Sequence, residues 1–230
     1  MSWKKADYED YPRTRAADDF WGQVRRTVHG VPVDEGQIQM IVNAIFAALQ
    51  LRPDDAVLDL ACGNGALSRY LYEHCASLLG VDFSEYLISV AKANFENEPD
   101  YLYRCDDAAH YVSTESDPTR FTKVVCYGSF PYFPAEDARS ALLGLRERFS
   151  NVERVFIGNL PDRDLADVFY GAGLPGAEVL DDHTEAIGIW RSRPQMSELA
   201  AACGWRASFT NMPTDFYAGH YRYDVLLSPA

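Results

Sequence analysis

Apolar residues along this chain fall into two alternating patterns. Ile38, Ile41, Val42, Ile45 and Leu49 recur at the three- and four-residue spacing of one helical face. Asp34 stands ahead of that helix and Arg52-Pro53-Asp54-Asp55 ends it. Short continuous apolar runs follow at 56–61, 77–82, 101–105, 122–128 and 152–159, of the kind that a parallel sheet buries on both faces. Helical stretches at 65–74, 85–96 (with Ser84 as cap) and 135–149 lie between several of them. The rhythm predicts an α/β fold: a Rossmann-like open, mostly parallel seven-stranded sheet with helices on both faces.

Either side of this core the pattern changes. Residues 1–20 are polar and carry Tyr8 and Tyr11, with a short helix expected over "AADDFWGQVRRTV". After residue 160 a Gly/Pro/Asp-rich stretch runs to about 193. A helix at "PQMSELAAACG" and strands at 206–211 and 221–227 come last. "YRYDVLL" alternates early and is apolar late, as expected of an antiparallel strand inserted at the sheet edge. No linker divides the chain. A single domain is expected over 1–230: a lid segment (1–34), a cofactor-binding half (35–160), and an acceptor-side insert with the final strands (161–230).

Composition narrows the partners. With 21 Lys+Arg against 34 Asp+Glu the net charge is −13, and no basic run offsets it. Such a surface argues against nucleic acid and against anionic membranes. No apolar run approaches a membrane span, and the first residues show no signal region, so a cytoplasmic protein is expected. Cys62, Cys75, Cys105, Cys126 and Cys203 form no C-x-x-C pair. Cys105 and Cys126 read as small hydrophobes within strands, and no metal site is expected.

The chemistry concentrates at strand ends. "AVLDLACGNGALSRYL" turns a buried strand into a helix through Asp59, Ala61, Gly63, Asn64 and Gly65. Glycine there permits positive φ and close approach of a ligand, at the carboxyl edge where open sheets bind ligands. A plain tight turn is the competing explanation. Asp82 ends the next strand about 20 residues on, the place of an acid that takes ribose hydroxyls. Asp106 and Asp107 follow the third strand, where an acid can accept from an adenine amine. Three consecutive strands ending in this way favour an adenosine-containing ligand. The third glycine of G-x-G-x-x-G is missing, which disfavours a nicotinamide oxidoreductase, and no phosphate-binding G-x-x-x-x-G-K-[ST] is present.

Asp59, Ala61, Gly63 and Gly65 resemble the first motif of class I S-adenosylmethionine-dependent methyltransferases, with Ala61 in place of the commonest glycine. The resemblance extends over roughly 35–160. Asp82-Phe83 matches the family's ribose acid and adenine-stacking neighbour. Asp107-Ala108 matches its adenine-edge pair, with Asp106 as the alternative register, and "VVCYGSFPYF", which contains Tyr127, matches its fourth-strand motif. It implies S-adenosylmethionine as cofactor and S-adenosylhomocysteine as product, and says little about the acceptor. "TVHG", "GNLPDR" and "HYRYDVLL" resemble patterns of bacterial natural-product or glycan methyltransferases. With the Tyr and Trp residues of the variable segments, they lead us to expect methyl transfer to a hydroxyl or amine of a small molecule, natural product or sugar-like. A non-catalytic cofactor-binding scaffold is the alternative on the same fold.

Acceptor-side residues come from the variable parts: Tyr11, Trp21, His29, Tyr132 and Asn159. His183 and His220 are the candidates for a general base, with Asp162 as the alternative; an amine acceptor needs no base beyond alignment. His74 is expected at the surface, and His110 beside the adenine. Monomer and homodimer are both compatible with the sequence.

Overall fold

The computed structural model describes residues 5–230, with side chains from Tyr8 onward. The chain runs from helix α1 (Lys5–Arg13) through α2 (Phe20–Gln23) and a small hairpin, β1 (Thr27–Val28) with β2 (Val31–Pro32), into α3 (Glu35–Leu49). β3 (Ala56–Leu60), β4 (Ser77–Asp82), α4 (Glu85–Phe95), β5 (Tyr101–Cys105), α5 (Ala108–Thr114), β6 (Lys123–Tyr127), α6 (Ala135–Arg148) and β7 (Arg154–Pro161) follow. Short helices α7 (Ala166–Tyr170) and α8 (Ala177–Leu180) lead to α9 (Arg193–Ala202), β8 (Trp205–Thr210) and β9 (Arg222–Pro229).

Seven strands form one sheet in the order β5-β4-β3-β6-β7-β9-β8. β5 through β7 are parallel, and β9 runs antiparallel to both β7 and β8. The expected seven-stranded, mostly parallel sheet is therefore present. β9 is not an edge strand, however. It lies between β7 and β8, which is why Tyr223, Val225 and Leu227 are fully buried. Cys105 is exposed rather than buried, because β5 is the edge strand and covers only one of its faces.

Alternation along each strand divides the core. Leu58, Val124, Cys126, Val155 and Ile157 pack under α5, α6 and α9. Val57, Val125, Tyr127 and Phe156 pack under the apolar face of α3. Asp34 caps α3 by accepting from the Gln37 N–H at 3.0 Å, and Gln50 ends it in the left-handed conformation (φ 51°). Ser84 caps α4 as expected, accepting from the Leu87 N–H.

Two expected helices differ. The 65–74 segment is a tight 3-10 helix over Ser68–His74. Its end is drawn in by Tyr72, which stacks on Tyr101 at 4.0 Å, while the Tyr101 hydroxyl donates to the Tyr72 carbonyl. The helix expected over 16–28 shrinks to α2, because Arg25 turns left-handed (φ 55°) and Thr27 and Val28 enter the hairpin. At the amino ends of the strands, buried Lys123 bonds Glu153 and lies 3.6 Å from Asp55, anchoring the face opposite the site. Among the described residues no helix is long and apolar enough to cross a membrane.

Candidate active site

Strand order reverses between β3 and β6, and a cavity of about 480 Å³ opens there at the carboxyl ends of the strands. Its volume is within the ~300–1,000 Å³ of small-molecule sites. Ala61, Gly63 and Asn64 of the glycine turn line the cavity, while Gly65 lies behind them against Tyr103 and does not reach the lining. Ala61 (φ 58°), Gly63 (φ 61°) and Gly65 (φ 75°) are all left-handed, so the chain doubles back without a regular ladder. Ala61 adopts this conformation despite its Cβ, held where the Ser129 hydroxyl donates to its carbonyl. Packing fixes the glycines from two sides. A Cβ on Gly63 would lie 2.9 Å from Val24, and one on Gly65 would lie 2.5 Å from the Tyr103 hydroxyl.

Asp82 is 6 % exposed and reaches the cavity wall. One carboxylate oxygen accepts from the Gly63 N–H and the other from the Ser84 N–H, each at 2.9 Å. Burial pushes its carboxyl up to about 6, against these two hydrogen bonds. Each oxygen keeps a further lone pair, so the carboxylate can still take a pair of hydroxyls. Asp59 lies beneath the turn and outside the cavity lining. It accepts from the Ser68 hydroxyl at 2.6 Å, and burial raises it to about 7.

The other expected cofactor residues separate cleanly. Phe83, Asp107, Ala108 and Tyr127 line the cavity. Asp106 turns away to Arg104 and His110, leaving Asp107 as the acid in register, although its carboxylate also caps α5 through Ala109 and His110. Asn64 reaches the lining, but its amide donates to the Phe20 carbonyl and the Gln23 side chain. It fastens α2 to the glycine turn.

On the acceptor side Tyr132, Asn159 and His183 line the cavity. Tyr11, Trp21 and His29 do not. Tyr11 lies under the Arg25 guanidinium, Trp21 packs against the α3 side of the core, and His29 is exposed at the tip of the β1–β2 hairpin. His220 is exposed beside Tyr221, and Asp162 is tied to the Asp164 N–H and Arg193, so neither reaches the cavity. His110 is exposed on Asp106 rather than lining the cavity, and His74 is exposed as expected.

Of the lid segment's expected aromatics Tyr8 lines the cavity, and sequence reasoning left out the arginines that the fold brings here. Tyr8 of α1 stands between Phe83 (6.4 Å) and Tyr132 (5.7 Å), while the Glu9 carboxylate accepts from the Glu85 N–H. Arg26, just before β1, lines the cavity with its guanidinium 5.1 Å from the Tyr127 ring. Burial lowers its pKa, opposed by Tyr127, Tyr217 and Asp59, and an arginine stays charged under such a shift. Arg222 enters from the start of β9. Periodicity gave no sign of these residues, because they reach the cavity from outside the parallel core.

The strand order and the cavity over the switch point, with acids beside β4 and β5, are those of the class I S-adenosylmethionine-dependent methyltransferase fold. Residues 57–149 match the family described as methyltransferase domain. Ubiquinone biosynthesis O-methyltransferase of Coxiella burnetii is 39 % identical over 79 residues, covering 34 % of this chain and 32 % of that protein. The chain thus spans about a third of the length of the first curated relatives it matches. Among solved structures, magnesium protoporphyrin IX methyltransferase of Synechocystis PCC 6803 with bound SAM superposes with TM-score 0.64 at 16 % identity, covering 98 % of this chain and 95 % of that one. A DhpI-SAM-HEP complex superposes with TM-score 0.63 at 18 % identity, covering 95 % and 94 %. An uncharacterised RNA methyltransferase of Chlorobaculum tepidum is 33 % identical over 60 residues, 26 % of this chain and 12 % of that protein.

Proposed function

We propose that this protein transfers a methyl group from S-adenosylmethionine to a hydroxyl or amine of a small molecule. The observation that carries the reading is the buried Asp82 carboxylate, fixed by two backbone N–H groups at the cavity wall beside the glycine turn. The residues present fit the cofactor. Asp82 can accept its ribose hydroxyls, Phe83 offers a ring and Asp107 an acid to its adenine, and Arg26 offers a cation to its amino-acid carboxylate.

When bound, the cofactor supplies a methyl group made electrophilic by a sulfonium. The chain's own work is to hold and orient. Tyr127 ends β6 with its hydroxyl buried and unpartnered, walling the middle of the cavity. Tyr8 and Tyr132 narrow the opening and limit water. Alignment of this kind supplies much of the rate in a displacement. Of the three expected base candidates, His183 alone lines the cavity, so it is the group to receive a hydroxyl proton. A net charge of −13 weighs against an RNA acceptor.

The test is release of S-adenosylhomocysteine from S-adenosylmethionine across a panel of small phenols, alcohols, hydroxy acids and amines. The reading expects at least one acceptor-dependent turnover, abolished when the acceptor's hydroxyl or amine is blocked. Tight cofactor binding without acceptor-dependent release over the panel would favour the non-catalytic scaffold.

A further inference from the structure

Three arginines, Arg25, Arg26 and Arg222, line the cavity of a protein with net charge −13, and Arg26 and Arg222 make no ion pair among the described residues. Arg26 lies near the glycine turn and Tyr127, where the reading above uses it for the cofactor. Arg222 is elsewhere. It opens β9 opposite Pro161, two strands beyond β6, on the side of the cavity away from Asp82 and Asp107. It is 8 % exposed. Nη1 donates to the Asn159 carbonyl at 2.5 Å, the guanidinium lies 4.8 Å from the Tyr221 ring, and Nε is buried without a partner. A guanidinium offers five donors, and burying its charge is costly unless an anion answers it.

The surroundings are built as a recognition wall. Asn159 is left-handed (φ 66°) at the β-bulge of β7. Arg222 grips its carbonyl, and the Asp224 carboxylate accepts from its N–H at 2.7 Å. That clamp leaves the Asn159 side-chain oxygen buried and unpartnered beside the cavity. Asp224 is the nearest buried acid on β9, yet it makes no ion pair with Arg222, and burial holds its carboxyl up at about 6. The wall therefore shows unmatched donors at Arg222 and an unmatched acceptor at Asn159.

We propose that the acceptor is a small anion, carrying a carboxylate or phosphoryl group for Arg222 and a hydroxyl or amine N–H that donates to Asn159. Arg222 is a specificity residue, and the assignment rests on the methyl-donor reading above. Arginine answers both anions through the same fork. An amide or a plain alcohol of equal size leaves that fork unpaired.

Binding of matched pairs to the protein loaded with S-adenosylhomocysteine tests this, with 3-hydroxybenzoate against 3-hydroxybenzamide for the carboxylate and glycerol 3-phosphate against glycerol for the phosphoryl group. At least one anion should bind tenfold or more tightly than its neutral partner. The gap should close in Arg222→Gln and narrow at least threefold in Arg222→Lys, with S-adenosylhomocysteine affinity within twofold of wild type in both. Arg26→Gln should do the reverse, weakening the cofactor and keeping the gap. Equal binding of neutral partners, no saturable anion binding, or a full gap in Arg222→Lys overturns the proposal. Arg222→Lys carries the decision if Arg222→Gln does not fold. Failure of wild type to bind S-adenosylhomocysteine overturns the donor reading and this proposal with it; cofactor binding without anion preference overturns this proposal alone.

Discussion

Asp59 and Asp82 are both carboxyl groups taken out of water, and their neighbours give them different work. Asp82 faces the cavity, while Asp59 is sealed under the turn on Ser68. Asp59 is raised from its ordinary value of 3.8 to about 7, so the folded protein holds its proton more tightly than the unfolded chain does. Its contribution is then fully present below about pH 4 and is lost as pH rises toward 7. Asp59→Asn stays neutral throughout and keeps an oxygen for Ser68. Its stability relative to wild type should therefore rise between pH 4.5 and 7.5, by up to a few kcal/mol, read from urea midpoints at the two pH values; a flat difference contradicts the buried carboxyl. His183 belongs to the same scale. With a hydroxyl acceptor, His183→Ala should lower turnover by ~10²–10⁴-fold while cofactor affinity stays unchanged. His220→Ala and Asp162→Ala should leave the proton-transfer step intact, because neither side chain reaches the cavity. Near-normal turnover of His183→Ala would point to an amine acceptor that needs no base.

At the scale of elements, the glycine turn is held from both sides, by Val24 and Asn64 toward the N-terminal segment and by Tyr103 toward the sheet. Gly65→Ala puts a Cβ 2.5 Å from the Tyr103 hydroxyl in a left-handed residue, and should cost about 2 kcal/mol or more. Gly30→Ala, at positive φ (79°) in the β1–β2 turn but with nothing within 4 Å, should cost only about 1 kcal/mol. Denaturant unfolding of the pair measures the difference, and equal costs would remove Tyr103 from the account. The turn itself was legible because its reason is local: strand, glycines, helix. β3, β4, β6 and β7 were legible for the same reason, each being a short apolar run buried on both faces, whereas the edge strand β5 is largely open. The tight 3-10 form of Ser68–His74 was not, since it depends on Tyr72 meeting Tyr101 from another strand. Lys123 within β6 was equally hidden, because a buried lysine makes sense only once Glu153 and Asp55 are beside it.

Over the whole molecule, the site combines a core that the sequence announces with walls that it does not. Asp82, Phe83 and Asp107 lie at ends of consecutive strands, so chain order places them. Arg26 and Arg222 come from distant parts of the chain and line one cavity only when the segment around Tyr8 and Arg26 packs against it and β9 inserts beside β7. Tyr11, Trp21, His29 and His220 are polar or aromatic residues of the same variable segments, and one sequence offers no means to tell which of them turn inward. In the proposed function Asp82 organises the methyl-donor site, and calorimetry tests that most directly. S-adenosylhomocysteine should bind wild type with one site per chain and NAD should not bind. Asp82→Ala, confirmed folded by its thermal transition, should weaken S-adenosylhomocysteine by ~10- to 100-fold, the effect of losing hydrogen bonds to a charged group. Binding of NAD in preference to S-adenosylhomocysteine, or unchanged affinity in folded Asp82→Ala, would contradict it.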